Sequence, residues 1–134
     1  MNHNAIIVDD EPVVVELLSQ LISEHCPDLN IVGSAGNPDE AIKLIESHHP
    51  DLVFLDINLP SGSGLQILDH FPTRSFEVVF ITGYTRLQSL AKQYKPLGIL
   101  TKPIEVSELQ AIISGFRAGC NQEQKKVIRN ENLL

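Results

Sequence analysis

The sequence predicts a doubly wound α/β fold, in which helices cover both faces of a five-stranded parallel sheet. Strand-like and helix-like segments alternate five times between residues 4 and 117, as in chains whose parallel strands are joined by helical crossovers. Several of the strand-like segments are continuous apolar runs, which is typical of central strands buried on both faces. Four of the five run directly into a charged or hydroxyl residue. In a parallel sheet these strand ends share one edge, where ligands bind.

The first half of the chain contains two strand-helix units. A strand over Asn4–Val8 is followed by Pro12, which suits the first turn of a helix. Apolar residues then recur at helical spacing. Leu29–Ala35 is a more polar strand, as expected at a sheet edge. The second helix begins at Asn37, which is followed by Pro and, three residues on, by Glu, as in a capping box.

The second half contains three more strand-helix units. A loop rich in Gly, Pro, Ser and Asn separates the third strand from a short helix. The fourth strand leads into a helix, and the fifth leads into a last amphipathic helix. The predicted strands are Asp51–Leu55, Glu77–Thr82 and Leu97–Thr101, and the predicted helices are Leu65–Phe71, Leu87–Tyr94 and Ile104–Phe116.

Length and composition restrict the class of protein. The 134 residues fit one domain, and a net charge of −7 argues against direct binding to nucleic acid. No apolar stretch approaches the roughly 20 residues of a membrane span, and the first residues lack the layout of a signal peptide. We therefore expect a cytoplasmic protein that does not bind a membrane. In that compartment Cys26 and Cys120 are expected to be reduced thiols.

The strand ends predict a cluster of carboxylates. Asp9 and Asp10 follow the first strand, and Asp56 follows the third. Two carboxylates about 4 Å apart repel each other by roughly 4 kcal/mol at an effective dielectric of about 20, so a cation is expected among them. Hard oxygen ligands at an accessible site favour Mg²⁺. With the ammonium of Lys102 and the hydroxyl of Thr82, the set predicts a phosphoryl-transfer site with a carboxylate nucleophile.

Four motifs together give the chain a strong resemblance to the receiver domain of two-component response regulators. They are VDDEP, FLDINLPSGSG, FITGY and LTKPI, which occur in the expected order within residues 4–117. The resemblance implies a flavodoxin-like (βα)5 fold with strand order 2-1-3-4-5. It also implies that residues 1–119 form the receiver domain. Residues 120–134 are then a polar tail or the start of a linker to an output domain.

The resemblance implies roles for the acidic residues. Asp56 would accept a phosphoryl group from a sensor histidine kinase. Asp9, Asp10, Asp56 and the backbone carbonyl of Asn58 would hold Mg²⁺, or Mn²⁺ in its place.

It also implies roles for the residues at the ends of the last two strands. Lys102 would pair with the phosphoryl group, and Thr82 and Gly83 would stabilise the group and move with it as the switch. A cis peptide bond is expected at Lys102-Pro103.

Signal transmission departs from the family pattern. Family members commonly carry Tyr or Phe three residues before the Lys, and this chain has Ile99, a stiff β-branched residue without a polar atom. Tyr84 or Tyr94 could substitute for the missing ring or simply pack. Asn58 and Tyr84 flank the phosphorylation site and would tune the lifetime of the phosphorylated state.

Two expectations concern the output. The first residues, the spacing of Thr82 and Lys102, and the tail are similar to receivers attached to LytTR-type DNA-binding domains, which implies control of transcription. The face made by the fourth helix, the fifth strand and the fifth helix would mediate partner or homodimer contacts. Leu87, Leu90 and Ile99 belong to this face.

Two other classes of function fit part of the pattern. A Mg²⁺-dependent phosphatase with an aspartyl nucleophile needs a second Asp two residues after the first and a cap insertion, and this chain has Asn58 at that position. A flavodoxin-type module, or a pseudo-receiver that is never phosphorylated, would act by binding alone. The acidic loop after the first strand disfavours phosphate binding without a cation. We therefore favour a signalling switch, which catalyses only its own phosphotransfer and dephosphorylation and is not otherwise an enzyme.

Overall fold

The computed structural model of the chain describes residues 2–83, Ser89 and 92–132, with side chains described as far as Cys120. The strands are β1 (His3–Val8), β2 (Leu29–Ala35), β3 (Leu52–Asp56), β4 (Asn58–Leu59), β5 (Gly62–Ser63), β6 (Glu77–Thr82) and β7 (Gly98–Thr101). The helices among these residues are α1 (Pro12–His25), α2 (Pro38–His48), α3 (Leu65–His70) and α4 (Val106–Asn132). The predicted fourth helix falls largely on residues outside the described ones.

Five strands pair in parallel in the order β2-β1-β3-β6-β7. This is the predicted 2-1-3-4-5 order, because β6 and β7 are the fourth and fifth predicted strands. The more polar β2 lies at the edge, as its sequence predicted. The loop after β3 adds a two-stranded antiparallel hairpin, β4-β5, which the sequence had predicted only as a loop.

Alternation along the central strands divides the core into two layers. In β1, Ala5 and Ile7 face one layer, whereas Ile6 and Val8 face the other. The first layer is covered by α1 and α4, and the second by α2 and α3. Both faces of β1 and β3 are therefore buried, which is why these strands are apolar at successive positions.

Several predicted boundaries differ from the observed ones: β1 begins at His3, β3 ends at Asp56, α3 ends at His70, β7 begins at Gly98 and α4 begins at Val106. Two further differences have a structural reason. The third strand begins at Leu52, because Asp51 ends the preceding turn: its carboxylate accepts a hydrogen bond from the Asn4 N–H at 2.8 Å. The last helix does not end at Phe116 but continues to Asn132. Among the helix residues up to Cys120, whose side chains are described, Phe116 is the last one buried in the core, so the apolar periodicity that predicted the helix stops there although the backbone continues.

Cys26 is buried and Cys120 is partly buried, and the structure has no disulfide between them. Among the described residues, no helix has the length and apolar character needed to cross a membrane.

Candidate functional site

The carboxyl edge of the sheet collects the predicted site residues. Asp9 follows β1, Asp56 ends β3, Thr82 ends β6 and Lys102 follows β7. Asp9 and Asp56 are each 3% exposed, and Thr82 is fully buried. The backbone N–H of Lys102 donates to the carbonyl oxygen of Thr82 at 3.0 Å, which ties the ends of β6 and β7 together.

Lys102 is the cation at the centre of this cluster. Its ammonium donates hydrogen bonds to Glu11 Oε1 at 2.8 Å and to Asp56 Oδ2 at 3.1 Å. Asp9 Oδ2 lies 3.2 Å from the same nitrogen, which is an ion-pair distance without hydrogen-bond geometry. One ammonium therefore faces three carboxylates.

The backbone around Asp56 is fixed by its own loop. Asp56 Oδ1 accepts a hydrogen bond from the Asn58 N–H at 2.9 Å. The N–H of Gly64 donates to the carbonyl oxygen of Ile57 at 2.8 Å, which closes the hairpin over the end of β3. A Cβ atom on Gly64 would overlap the carbonyl oxygen of Asp56. Glycine is therefore required here for close approach, so the loop glycine serves the geometry of the site.

Asp9 has one carboxylate oxygen that accepts a hydrogen bond and one that accepts none. Its Oδ1 accepts a hydrogen bond from the Glu11 N–H at 2.9 Å. Its Oδ2 is buried and accepts no hydrogen bond from any described residue. A buried oxygen without a hydrogen bond costs free energy, and the Lys102 ammonium at 3.2 Å offsets this only as an ion pair.

Glu11 is a member of the cluster that the sequence analysis missed. One oxygen each from Asp9, Asp10, Glu11 and Asp56 lies within 4.8 Å of the others. Asp10 and Glu11 are exposed, whereas the other two are buried. The available signal was the run of three acidic residues after β1, in which only the first two were assigned a role.

Burial and charge shift the protonation of the two central groups. Burial raises the pKa of Asp56 to about 6, although hydrogen bonds from Asn58 and Lys102 oppose the rise. Burial alone would lower the pKa of Lys102, but the carboxylates of Glu11, Asp56 and Asp9 outweigh burial and raise it. Lys102 is therefore a permanent cation, and Asp56 is a carboxylate whose negative charge is only partly compensated.

The donor set fits Mg²⁺. The four clustered carboxylates are hard oxygen ligands, two of them reach solvent, and Asp9 Oδ2 has an unused lone pair inside the cluster. Mg²⁺ commonly binds one or two carboxylates together with phosphate and keeps several waters. The four clustered carboxylates, three of which face the Lys102 ammonium, leave an excess of negative charge that a divalent ion would neutralise.

The remaining predicted residues are placed as follows. Asn58 lies in β4 and is exposed, Gly83 is exposed beyond β6, and Tyr84 lies outside the described residues. The Lys102-Pro103 peptide bond is cis, as predicted. Ile99 is half-buried in β7 and packs with the layer under α2 and α3.

Comparison with known proteins identifies the fold and its use. A family model of the response regulator receiver domain matches residues 5–114. The chain belongs to this family. It is thus a receiver domain, the phosphoacceptor signalling switch of response regulators.

Individual relatives of this receiver domain agree with the family. An uncharacterised response regulatory protein of Vibrio cholerae is 34% identical over 96% of the chain and 47% of its own length. The transcriptional regulatory protein BtsR of Salmonella typhi is 35% identical over 90% of the chain and 49% of its own length. The chain thus spans about half the length of these curated relatives. The crystal structure of a LuxR-family two-component response regulator from Aurantimonas superposes with a TM-score of 0.78 at 27% identity, over 89% of this chain and 87% of that one.

Proposed function

We propose that Asp56 accepts a phosphoryl group from a sensor histidine kinase in a Mg²⁺-dependent reaction. The observation that carries the proposal is the setting of its carboxylate. Asp56 ends the central strand β3, is 3% exposed and is bonded to Lys102 at 3.1 Å. Of the clustered carboxylates, it alone lies at a strand end beside both the ammonium and the loop that closes over β3.

The transfer is a displacement at phosphorus. An oxygen of Asp56 forms the new P–O bond while the P–N bond of the kinase phosphohistidine breaks, and the imidazole leaves with the electron pair. The product carries about −1.5 to −2 charges if it behaves as other phosphoryl groups do. Lys102, already 3.1 Å from Asp56 Oδ2, pairs with an oxygen of the transferred group.

Asp9, Asp10, Asp56 and the backbone carbonyl of Asn58 are the proposed Mg²⁺ ligands. The ion supplies charge neutralisation of the phosphoryl oxygens when bound. The clustered carboxylate oxygens and the unsatisfied Asp9 Oδ2 support this assignment. In the same scheme Asn58 and Tyr84 tune the lifetime of the phosphorylated state.

Thr82 and Gly83 are the proposed switch. The hydroxyl of Thr82 would donate to a phosphoryl oxygen, and the following loop would move with it. Support comes from the position of Thr82 at the end of β6 and from its carbonyl, which accepts the Lys102 N–H at 3.0 Å. Because of this hydrogen bond, a movement of Thr82 at the end of β6 would displace Lys102, which follows β7.

Intact-mass analysis tests the acceptor. The chain is incubated with acetyl phosphate and Mg²⁺, and we expect a gain of one phosphoryl group that chelation of the metal prevents. The Asp56→Asn variant should gain none, whereas Asp51→Asn, which changes an aspartate at the opposite edge of the sheet, should be labelled normally. Labelling that persists in Asp56→Asn would refute the assignment.

Two exposed apolar residues support a kinase partner beside the site. Val13 and Leu17 lie on α1, which begins directly after the acidic cluster, and they are 76% and 42% exposed. We propose that they contact the kinase during transfer. With a histidine kinase that phosphorylates the chain, Val13→Ser and Leu17→Ser should slow transfer, while labelling by acetyl phosphate stays unchanged. Equal slowing with both donors would assign these residues to the site itself.

The output is proposed to be transcription through a further domain that follows a linker over residues 120–134. The curated relatives are about twice as long as this chain, one is named a transcriptional regulatory protein, and α4 continues through the boundary at residue 119. The LytTR-type output predicted from the sequence gains no support, because two of the similar solved structures are response regulators of the LuxR family. A cytoplasmic location is part of the proposal and agrees with the buried free thiol of Cys26.

Phosphorylation is also proposed to promote homodimer or partner contacts through the face that contains β7 and α4. Ile99 lies in β7 and is half-buried on the α2 and α3 side of the sheet, whereas Leu87 and Leu90 fall outside the described residues. Sedimentation with and without acetyl phosphate tests the proposal. Association that ignores phosphorylation, or that survives substitution of Leu87 and Leu90, would contradict it.

A further inference from the structure

The shortest contact of the Lys102 ammonium is with Glu11, not with an aspartate. The distances are 2.8 Å to Glu11 Oε1, 3.1 Å to Asp56 Oδ2 and 3.2 Å to Asp9 Oδ2. The Glu11 side chain is 57% exposed, while those of Asp9 and Asp56 are at most 4% exposed. Glu11 therefore holds the ammonium from the solvent side, and the two aspartates hold it from the buried side.

Hydrogen bonds on both sides fix the position of the Glu11 main chain. Its N–H donates to Asp9 Oδ1 at 2.9 Å. Its carbonyl oxygen accepts the N–H groups of Val14 and Val15, at 3.1 and 3.2 Å, as the residue before the first turn of α1. With the main chain tied on both sides, the length of the side chain decides whether its carboxylate reaches Lys102.

We propose that Glu11 is a positioning residue that holds the Lys102 ammonium at the solvent side of the acidic cluster. The inference rests on the proposed function of Asp56. An ammonium without this contact would settle on Asp9 and Asp56, where it covers the oxygen that must attack phosphorus and competes with Mg²⁺. Held by Glu11, it exchanges Asp56 for an incoming phosphoryl oxygen while keeping a carboxylate partner.

A matched pair of substitutions separates position from charge. Glu11→Gln removes the charge, whereas Glu11→Asp keeps it on a side chain one methylene shorter. Because the backbone is fixed, the aspartate should fall short of Lys102. Glu16→Gln is the control, since Glu16 is an exposed carboxylate on α1, the helix that follows Glu11, and its loss changes net charge as much as Glu11→Gln does.

Two measurements are made on each variant. The rate of labelling by acetyl phosphate with Mg²⁺ is followed by intact mass, and the Lys102 ¹³Cε and ¹⁵Nζ shifts are recorded by NMR in chelator without phosphodonor. We expect Glu11→Gln and Glu11→Asp each to slow labelling roughly fivefold, equivalent to about 1 kcal/mol, the upper end for an exposed ion pair. Both should move the Lys102 resonances, and Glu16→Gln should change neither quantity.

The outcomes are distinguishable. Normal labelling and normal resonances in Glu11→Asp would mean that charge alone matters, which overturns the positioning role. A Glu11→Gln variant with the labelling rate and the Lys102 resonances of the parent would also overturn the positioning role. Failure of the parent chain to be labelled, with the Lys102 resonances moving as expected, would instead refute the proposed function and leave the ground-state contact intact.

Discussion

The two ends of the sheet hold their charged side chains in opposite ways. At the amino end, before β2, the guanidinium of Arg117 donates two hydrogen bonds to the carboxylate of Asp28, one of them from Nε at 2.8 Å. At the carboxyl end, one ammonium faces three carboxylates. Asp28 is paired one to one with Arg117 at the first end, whereas negative charge is left in excess at the second.

As a consequence, the pKa of an aspartate is shifted in opposite directions at the two ends. The hydrogen bond from Arg117 lowers the pKa of Asp28 below its ordinary value. Burial raises the pKa of Asp56 to about 6. As an anion Asp28 stabilises the fold, whereas the Asp56 anion destabilises it in spite of its contact with Lys102. The carboxylate with the raised pKa lies at the carboxyl end of the sheet, and this is the end that carries the proposed phosphoryl-transfer site.

The largest effect is expected at the loop over Asp56. Gly64→Ala would force a Cβ into the carbonyl oxygen of Asp56, so the hairpin or the end of β3 must move. We expect a loss of about 3 kcal/mol in the free energy of unfolding, measured by urea titration, because overpacking of this kind costs roughly 1–3 kcal/mol.

Gly115→Ala in α4 is the control for that substitution. Its Cβ would meet no described atom within 4 Å. Alanine should therefore stabilise the helix by about 0.5–1 kcal/mol. A Gly64→Ala variant as stable as the parent would show that the loop over Asp56 can move to accept the methyl group at no cost in stability.

The pH dependence of stability should carry opposite signs at the two ends. In chelator, Asp56 binds a proton near pH 6 in the folded chain but only near 3.8 when unfolded. The destabilisation present above pH 6 is therefore relieved as pH falls towards about 4, a gain on the order of 2 kcal/mol. Asp28, whose folded pKa is lowered, contributes stability that is lost as pH falls below about 4.

Urea titrations of the metal-free chain between about pH 7 and pH 3 measure both effects. Asp56→Asn should abolish the gain on acidification and keep the later loss. Asp28→Asn should show the reverse. A parent chain that loses stability steadily from pH 7 downwards would contradict the pattern.

Metal ions should act on one end only. Mg²⁺ at about ten times its dissociation constant should raise the free energy of unfolding by about 1.4 kcal/mol. Arg117→Met should lower it by up to about 1 kcal/mol, since both partners of this pair are partly exposed. Thermal melts with and without Mg²⁺ should show the same metal-dependent increment in the parent and in Arg117→Met. A smaller increment in the variant would mean that the two ends are coupled.

The fold and the strand-end residues could be predicted because both follow from local pattern. Apolar runs mark the buried strands, and Asp9, Asp56 and Lys102 are the residues at which those runs end. The contact between Glu11 and Lys102 joins residues 91 positions apart and depends on side-chain reach, so no local pattern encodes it. The extension of α4 beyond Phe116 was missed because that segment is mostly polar, and a polar helix shows no apolar periodicity in its sequence.

The smallest effect concerns Tyr94, one of the two tyrosines considered as substitutes for the aromatic switch. Its hydroxyl donates to Asp69 Oδ1 at 3.0 Å, and its carbonyl oxygen accepts a hydrogen bond from Arg74 at 2.6 Å. Both contacts fasten the segment before β7 to the region around α3. Tyr94 therefore acts as an anchor between these two regions in the unphosphorylated chain.

Tyr94→Phe keeps the ring and removes only the hydroxyl. We expect a loss of about 0.5 kcal/mol in urea titration, the lower end for a hydrogen bond, because Asp69 is exposed and regains water. Arg74→Met, which frees the carbonyl oxygens of Tyr94 and Lys95, should cost more, about 1 kcal/mol or above. If Tyr94→Phe leaves stability unchanged but alters phosphorylation-dependent association, the hydroxyl belongs to the switch and not to the anchor.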